Sequence, residues 1–432
     1  MTHQTTVRTT LPNGLRVLLV PDHTVPVAGV SVHYDVGFRS EPRGFSGFAH
    51  LFEHLMFQGS ESLPKLEHSR RIQASGGKFN GSTHPDYTDY YSVLPSSALR
   101  LALFCEADRM RAPLITEENL RNQVDVVKEE IRLNVHNRPY GGFPWIHLPP
   151  LLYDSFANSH NGYGDFVDLE RATVDDCAAF FDTYYAPGNA VLTVAGDLDV
   201  EQTLELIALY FGDVPARDAA PRQSLAEPPL RAERRGEHVD PNAPLPGLAL
   251  GYRLPDPATE TPSYVAHVVL SLLLADGHSS RLVRRLLQQE SLAVDVSAGC
   301  GLLGRPFNAR NPDTFLVTAI HPSGVESESV LTAVEEELAT LAAHGPTREE
   351  LTGVAARLAA SLHRERDQLL GRTLSFGVAE LLFGQVDMIS DLPERVAAIG
   401  IEDVATAAKA LCHAGRAILV VRQGAVGSGD AT

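Results

Sequence analysis

Residues 46–57, SGFAHLFEHLMF, constrain this chain more than any other stretch. No β-branched residue interrupts the run, Ser46 is placed to cap its start, and the apolar spacing predicts a short helix. On a period of 3.6 residues, His50, Glu53 and His54 leave one face, while Leu51, Phe52, Leu55 and Met56 form an apolar surface that buries the other. Two imidazoles one turn apart can reach a single Zn²⁺, and the carboxylate beside them can act as a general base. The order is HxxEH, the reverse of the HExxH zinc helix. The bland alternative is a core helix with two partly exposed histidines. A closed zinc site needs a third protein ligand from elsewhere in the chain.

At 432 residues the chain exceeds one ordinary core, which predicts at least two domains. A net charge of −18 excludes a nucleic-acid partner, since phosphate binding needs a basic stripe. The same charge suits solubility first and basic peptides second. No apolar run approaches bilayer length and residues 1–8 lack a secretory pattern, so no membrane partner is expected. Cys105, Cys177, Cys300 and Cys412 are scattered without a CxxC, which predicts reduced thiols and a cytoplasmic location.

Along the chain, residues 10–22 predict a turn at Asn13-Gly14 and a strand, and residues 27–37 its neighbour. A helix over 66–75 precedes residues 78–94, which read as two strands around a turn at Pro85. Helices follow over 95–110 and from Thr116 to about residue 133, and the Pro- and Gly-rich residues 140–164 predict a long loop near the site. Thr173 opens a capped helix, residues 190–195 form a buried strand, and 200–211 a helix. Residues 215–240 have the Pro, Ala and charge content of a linker. Beyond it the order repeats: a strand at 247–253, helices at 263–275 and 281–289, a strand at 314–321, helices at 325–343, 348–370 and 404–412, and a strand at 417–421. The expected fold is α+β: two similar domains, each an antiparallel sheet packed with helices, spanning 1–214 and 241–432. The second half has no HxxEH, so the chemistry is assigned to the first. The best source of a third ligand is the helix after Thr116, where Glu129 and Glu130 lie on or beside the side carrying Leu120, Val124, Val127 and Ile131.

Over essentially its whole length the chain resembles the pitrilysin and mitochondrial-processing-peptidase inverzincins. The resemblance is carried by LPNGLRVLLVPD, GFAHLFEHLMFQGS, GGKFNGSTHPDYTDYY, NQVDVVKEEIR and YYAPGNAVLTVAGDLD. It implies a zinc endopeptidase with His50, His54 and Glu130 as ligands, Glu129 as fallback, and Glu53 as general base. It implies further that peptides add as a strand along Phe79, Asn80, Gly81, Ser82 and Thr83. Gln123 stands where many members carry a Glu seven residues before the ligand Glu. Leu287 and Val294 stand where active single-chain members carry an Arg and a Tyr, with Arg281, Arg284, Arg285 and Tyr264 as possible substitutes. The segment 159–163, SHNGY, also departs from the family's HPY-like loop. The resemblance therefore implies the zinc-bearing subunit of a hetero-oligomer, cutting peptides in a chamber with a homologous partner that supplies Arg and Tyr. A self-sufficient homodimer and a non-catalytic core subunit are the competing expectations.

Overall fold

The computed structural model describes residues 6–217, 221–303 and 305–424. Two compact units divide the chain, and neither is one continuous block. The first gathers Met1–Lys128, Gly162–Gln223 and Leu362–Asp391; the second gathers Glu129–Asn161, Ser224–Ser361 and Leu392–Thr432. Each of the expected halves, 1–214 and 241–432, thus contributes a segment to the other's unit.

The first sheet comprises β1 (Val7–Thr10), β2 (Arg16–Pro21), β3 (Val27–Tyr34), β4 (Lys78–Thr83), β5 (Thr88–Pro95) and β6 (Ala190–Gly196), in the order β1-β2-β6-β3-β5-β4. The second comprises β7 (Arg234–Asp240), β8 (Gly247–Arg253), β9 (Asp295–Cys300), β10 (Thr314–Ile320) and β11 (Arg416–Gln423), in the order β7-β11-β8-β10-β9. Leaving out β1, the two orders and pairing senses superimpose. One parallel pair, β2 with β6 or β7 with β11, is followed by three antiparallel ones. The duplication expected from element order is therefore present, and each sheet is mixed rather than purely antiparallel.

Strand β7 occupies the end of the expected linker. Its sequence, RRGEHVD, alternates between exposed and half-buried positions at a sheet edge, so it carries no apolar signal to read. The 140–164 segment also differs from the expected loop: Phe143, Leu148, Leu152 and Tyr153 pack with Ala249, Ala417, Leu419 and Val421 of the second sheet. Only its last residues, from Gly162, belong to the first unit.

Strands β3 and β6 are buried along nearly their whole length, because both faces of the first sheet are covered. One cover is the Leu369–Phe383 helix, which packs Phe376, Leu381 and Leu382 on Leu18, Val20, Val191 and Ala195. Glycine permits this approach: a Cβ at Gly29 would stand 2.5 Å from Thr373 Oγ1, and one at Gly377 would stand 2.4 Å from the His33 ring.

Two imidazoles are sealed into this unit. Burial pushes His33 down to about 3, with the His84 charge as a lesser cause. His68 is likewise held at about 3 by burial and then by the Arg109 charge. A carboxylate oxygen lies 3.6 Å from His33 (Asp89) and 3.9 Å from His68 (Glu106), but neither contact offsets the desolvation. Folded-state values below the unfolded value mean that the unfolded chain binds more protons. Stability is then fully present above about pH 6.5 and falls as pH drops toward 3, by about 1.4 kcal/mol per pH unit for each group. Denaturation midpoints measured from pH 7 to pH 5 should fall accordingly, with proton uptake on unfolding.

Candidate metal centre and active site

The HxxEH stretch forms helix α1 (Phe48–Leu55), with Phe52 packed on Phe180 and Tyr185 at ring distances of 5.1 and 4.6 Å. Its start departs from the expected Ser46 cap. The N-cap is Gly47, in the left-handed region at φ 89°, where a Cβ would meet Gly164 Cα at 2.6 Å. The capping oxygens come from buried Glu41, whose carboxylate accepts the N–H groups of Gly47 and Ala49 at 2.9 and 2.8 Å. Ser46 instead donates its own N–H to Asp168 Oδ2 at 3.0 Å. A carboxylate at a helix N-terminus is favoured by both the orphan donors and the dipole. Glu41→Gln leaves one acceptor for two donors and removes the charge. It should cost about 1–2 kcal/mol, read as a melting temperature lower by ~2–6 °C.

Helix α2 (Glu67–Ala74) and helix α3 (Leu99–Arg111) follow, and helix α4 (Glu117–Ile131) carries the third candidate ligand. Leu120, Val124, Val127 and Ile131 are its buried stripe, as the spacing predicts. The unit boundary falls within its last turn. Glu129 points to solvent and pairs with Arg132 at 3.1 Å, whereas Glu130 is half-buried and turned toward the histidines. His50, His54 and Glu130 each offer a ligand atom within 4.8 Å of the others, and this is the group of that kind found among the described residues. Two imidazoles and a carboxylate gathered at this spacing fit the donor chemistry of a zinc site.

The short Phe166–Arg171 helix braces these two helices. Its Asp168 holds the start of α1 through Ser46, while Glu170 pairs with Lys128 of α4, whose ammonium also lies 5.4 Å from the Phe166 ring. Gln123, also on α4, accepts at 3.3 Å from His54 Nδ1 and donates to Asn122 Oδ1 at 2.8 Å. An amide oxygen can only accept, so the contact sets the proton on Nδ1 and leaves Nε2 for a metal. Tyr163 adds an edge-on ring 5.6 Å from that of His50, so the end of the 140–164 segment lies beside the site, where the sequence places that segment.

Strand β4 is the edge of its sheet, as expected for the segment 79–83. Phe79, Gly81 and Thr83 face the helices: the Phe79 ring lies 5.8 Å from that of Phe57, and a Cβ on Gly81 would stand 3.2 Å from Phe57 Cε2. Lys78 and Asn80 are exposed and Ser82 half-buried on the opposite alternation. Glu53, between the two histidines on α1, accepts a 2.6 Å hydrogen bond from Thr83 Oγ1.

Two sequence families match consecutive stretches: "Insulinase (Peptidase family M16)" over residues 16–139 and "Peptidase M16 inactive domain" over 171–358. The chain belongs to the M16 peptidase family. A protein named zinc protease PqqE from Helicobacter pylori is 32% identical over 295 residues, which is 66% of this chain and 64% of that protein. The chain therefore spans less than two thirds of this relative's length. An uncharacterized zinc protease of Streptomyces coelicolor is 28% identical over 93% of this chain and 86% of its own length. The crystal structure of a protease from Helicobacter pylori superimposes with a TM-score of 0.90 at 25% identity, covering 97% of this chain and 99% of that one.

Within this M16 chain, Leu287 lies in the helical segment Val283–Gln289 and Val294 immediately precedes β9, exposed. Three of the four candidate substitutes for the missing Arg and Tyr are engaged inside the second unit. Tyr264 is buried and donates to Asp313, Arg281 pairs with Glu350, and Arg285 pairs with Glu290 and Glu336. Arg284 is exposed. No helix among the described residues is long and apolar enough to cross a membrane.

Proposed function

We propose that this M16 chain is a zinc endopeptidase and the zinc-bearing subunit of a two-chain enzyme. The observation that carries the reading is the convergence of His50, His54 and Glu130 beside Glu53. Two imidazoles and one carboxylate are a donor set of catalytic zinc hydrolases, leaving a position for water or substrate. When bound, Zn²⁺ would polarise the scissile carbonyl and make water more acidic. Glu53 takes a proton from the attacking water, whose oxygen bonds to the carbonyl carbon. The C–N bond then breaks, and Glu53 returns the proton to the leaving amine. Gln123 keeps His54 in the tautomer that can bind metal. Substrate adds as a strand along Phe79–Thr83, whose outer edge no other strand occupies among the described residues.

Leu287 and Val294 cannot donate to an oxyanion, which supports a homologous partner supplying Arg and Tyr. The match to a family described as an inactive domain favours one competing reading, a structural subunit. The intact donor set argues against it. The free cysteines support a cytoplasmic location. The test is zinc content and cleavage of a quenched, unstructured peptide by the chain alone and mixed with an M16 homologue from the same source. Stoichiometric zinc with cleavage only in the mixture is expected. Full activity alone overturns the two-chain reading in favour of a homodimer, and absence of both zinc and cleavage overturns the peptidase.

A further inference from the structure

Thr83 ends β4, the edge strand, and its hydroxyl donates to Glu53 Oε2 at 2.6 Å. We propose that Thr83 is a positioning residue: its hydroxyl sets the orientation of the Glu53 carboxylate, and does so from the strand that receives the substrate. The inference rests on the reading of Glu53 as general base.

The hydroxyl is well placed to hold another group because its own backbone is held. Thr83 pairs with Thr88 in the register of the β4–β5 hairpin. The turn between them closes through His84 N–H to Tyr87 O at 2.8 Å, and its carbonyls at His84 and Pro85 accept from Phe38 and Arg39 at 3.2 and 2.9 Å. Buried Arg39 also pairs with buried Asp86, Nε to Oδ1 at 2.9 Å. At Gly37 a Cβ would stand 2.2 Å from His84 O, so the 37–40 segment presses directly on the turn. Threonine is stiff at χ1, so a fixed backbone fixes the hydroxyl. Glu53, with three rotatable bonds, has freedom to lose. With Oε2 engaged, Oε1 is the oxygen presented to water.

The competing account is a hydrogen bond that merely joins helix to strand. Thr83→Val removes the hydroxyl and keeps the shape and strand preference, while Thr83→Ser keeps the hydroxyl. On the zinc-loaded protein mixed with the M16 homologue and acting on the quenched peptide, Thr83→Val should lower kcat about 10–100-fold, with KM and zinc content within about twofold, and Thr83→Ser should recover most of the loss. In the Glu53→Gln background, Thr83→Val should leave the Kd for the uncleaved peptide unchanged. In the metal-free protein, the denaturation shifts of Thr83→Val and Glu53→Ala should be non-additive, which decides the contact even if no peptide is cleaved. Unchanged kcat in Thr83→Val, failure of Thr83→Ser to rescue, additive shifts, or a weakened peptide Kd would each overturn the proposal. Full activity of Glu53→Gln would instead overturn the general-base reading. An inactive Glu53→Gln beside an unimpaired Thr83→Val would overturn the positioning role alone.

Discussion

Glu53→Gln should leave zinc bound and lower kcat about 10²–10⁴-fold, the range in which a positioned general base contributes. The amide matches the carboxylate in size and still accepts from Thr83, so packing and the metal ligands should be undisturbed. What it lacks is the capacity to take a proton from water. Because the loss falls on proton transfer rather than on substrate docking, KM should change little while kcat collapses. Zinc analysis of the variant, and steady-state cleavage by the same preparation mixed with the M16 homologue, check both halves. Full activity would sink the assignment of Glu53, and loss of zinc would show that its side chain supports the donor set instead.

The parts of this molecule visible in its sequence share one property: their signal is local. The helical spacing of His50, Glu53 and His54 is contained in one stretch, and β8 lies over 247–253, where its apolar run predicts it. The stripe on α4 likewise places Glu130 one residue from the buried Ile131. The parts that escaped reading depend on residues far apart in the chain. The cap of α1 comes from Glu41 rather than the adjacent Ser46, because Gly47 turns left-handed against Gly164. The hydroxyl on Glu53 belongs to Thr83, thirty positions on, and no period connects the two. The Leu369–Phe383 helix is apolar on too many sides to announce which sheet it covers, and its place on the first sheet is set by glycines at 29 and 377. Strand β7 is the opposite case: a charged edge strand has nothing apolar to show, and only its pairing with β11 defines it.

The same contrast decides between two adjacent carboxylates. Glu129 and Glu130 are indistinguishable by composition, and the single residue step between them on a helix separates their directions by about 100°. Glu129 is exposed and paired with Arg132, while Glu130 meets His50 and His54. Glu130→Gln should therefore weaken zinc binding by about 100-fold or more, since the amide loses the charge that binds the cation. At a fixed free zinc concentration, that loss removes about 2.7 kcal/mol of the stabilisation that zinc gives the fold, so the melting gap between loaded and metal-free protein should shrink. Glu129→Gln should keep affinity within about twofold, because only a surface pair is lost. Competition against a chromophoric chelator measures both constants. A weakened Glu129→Gln beside an intact Glu130→Gln would move the ligand by one residue. Loss in neither would mean that the two histidines are completed from outside α4.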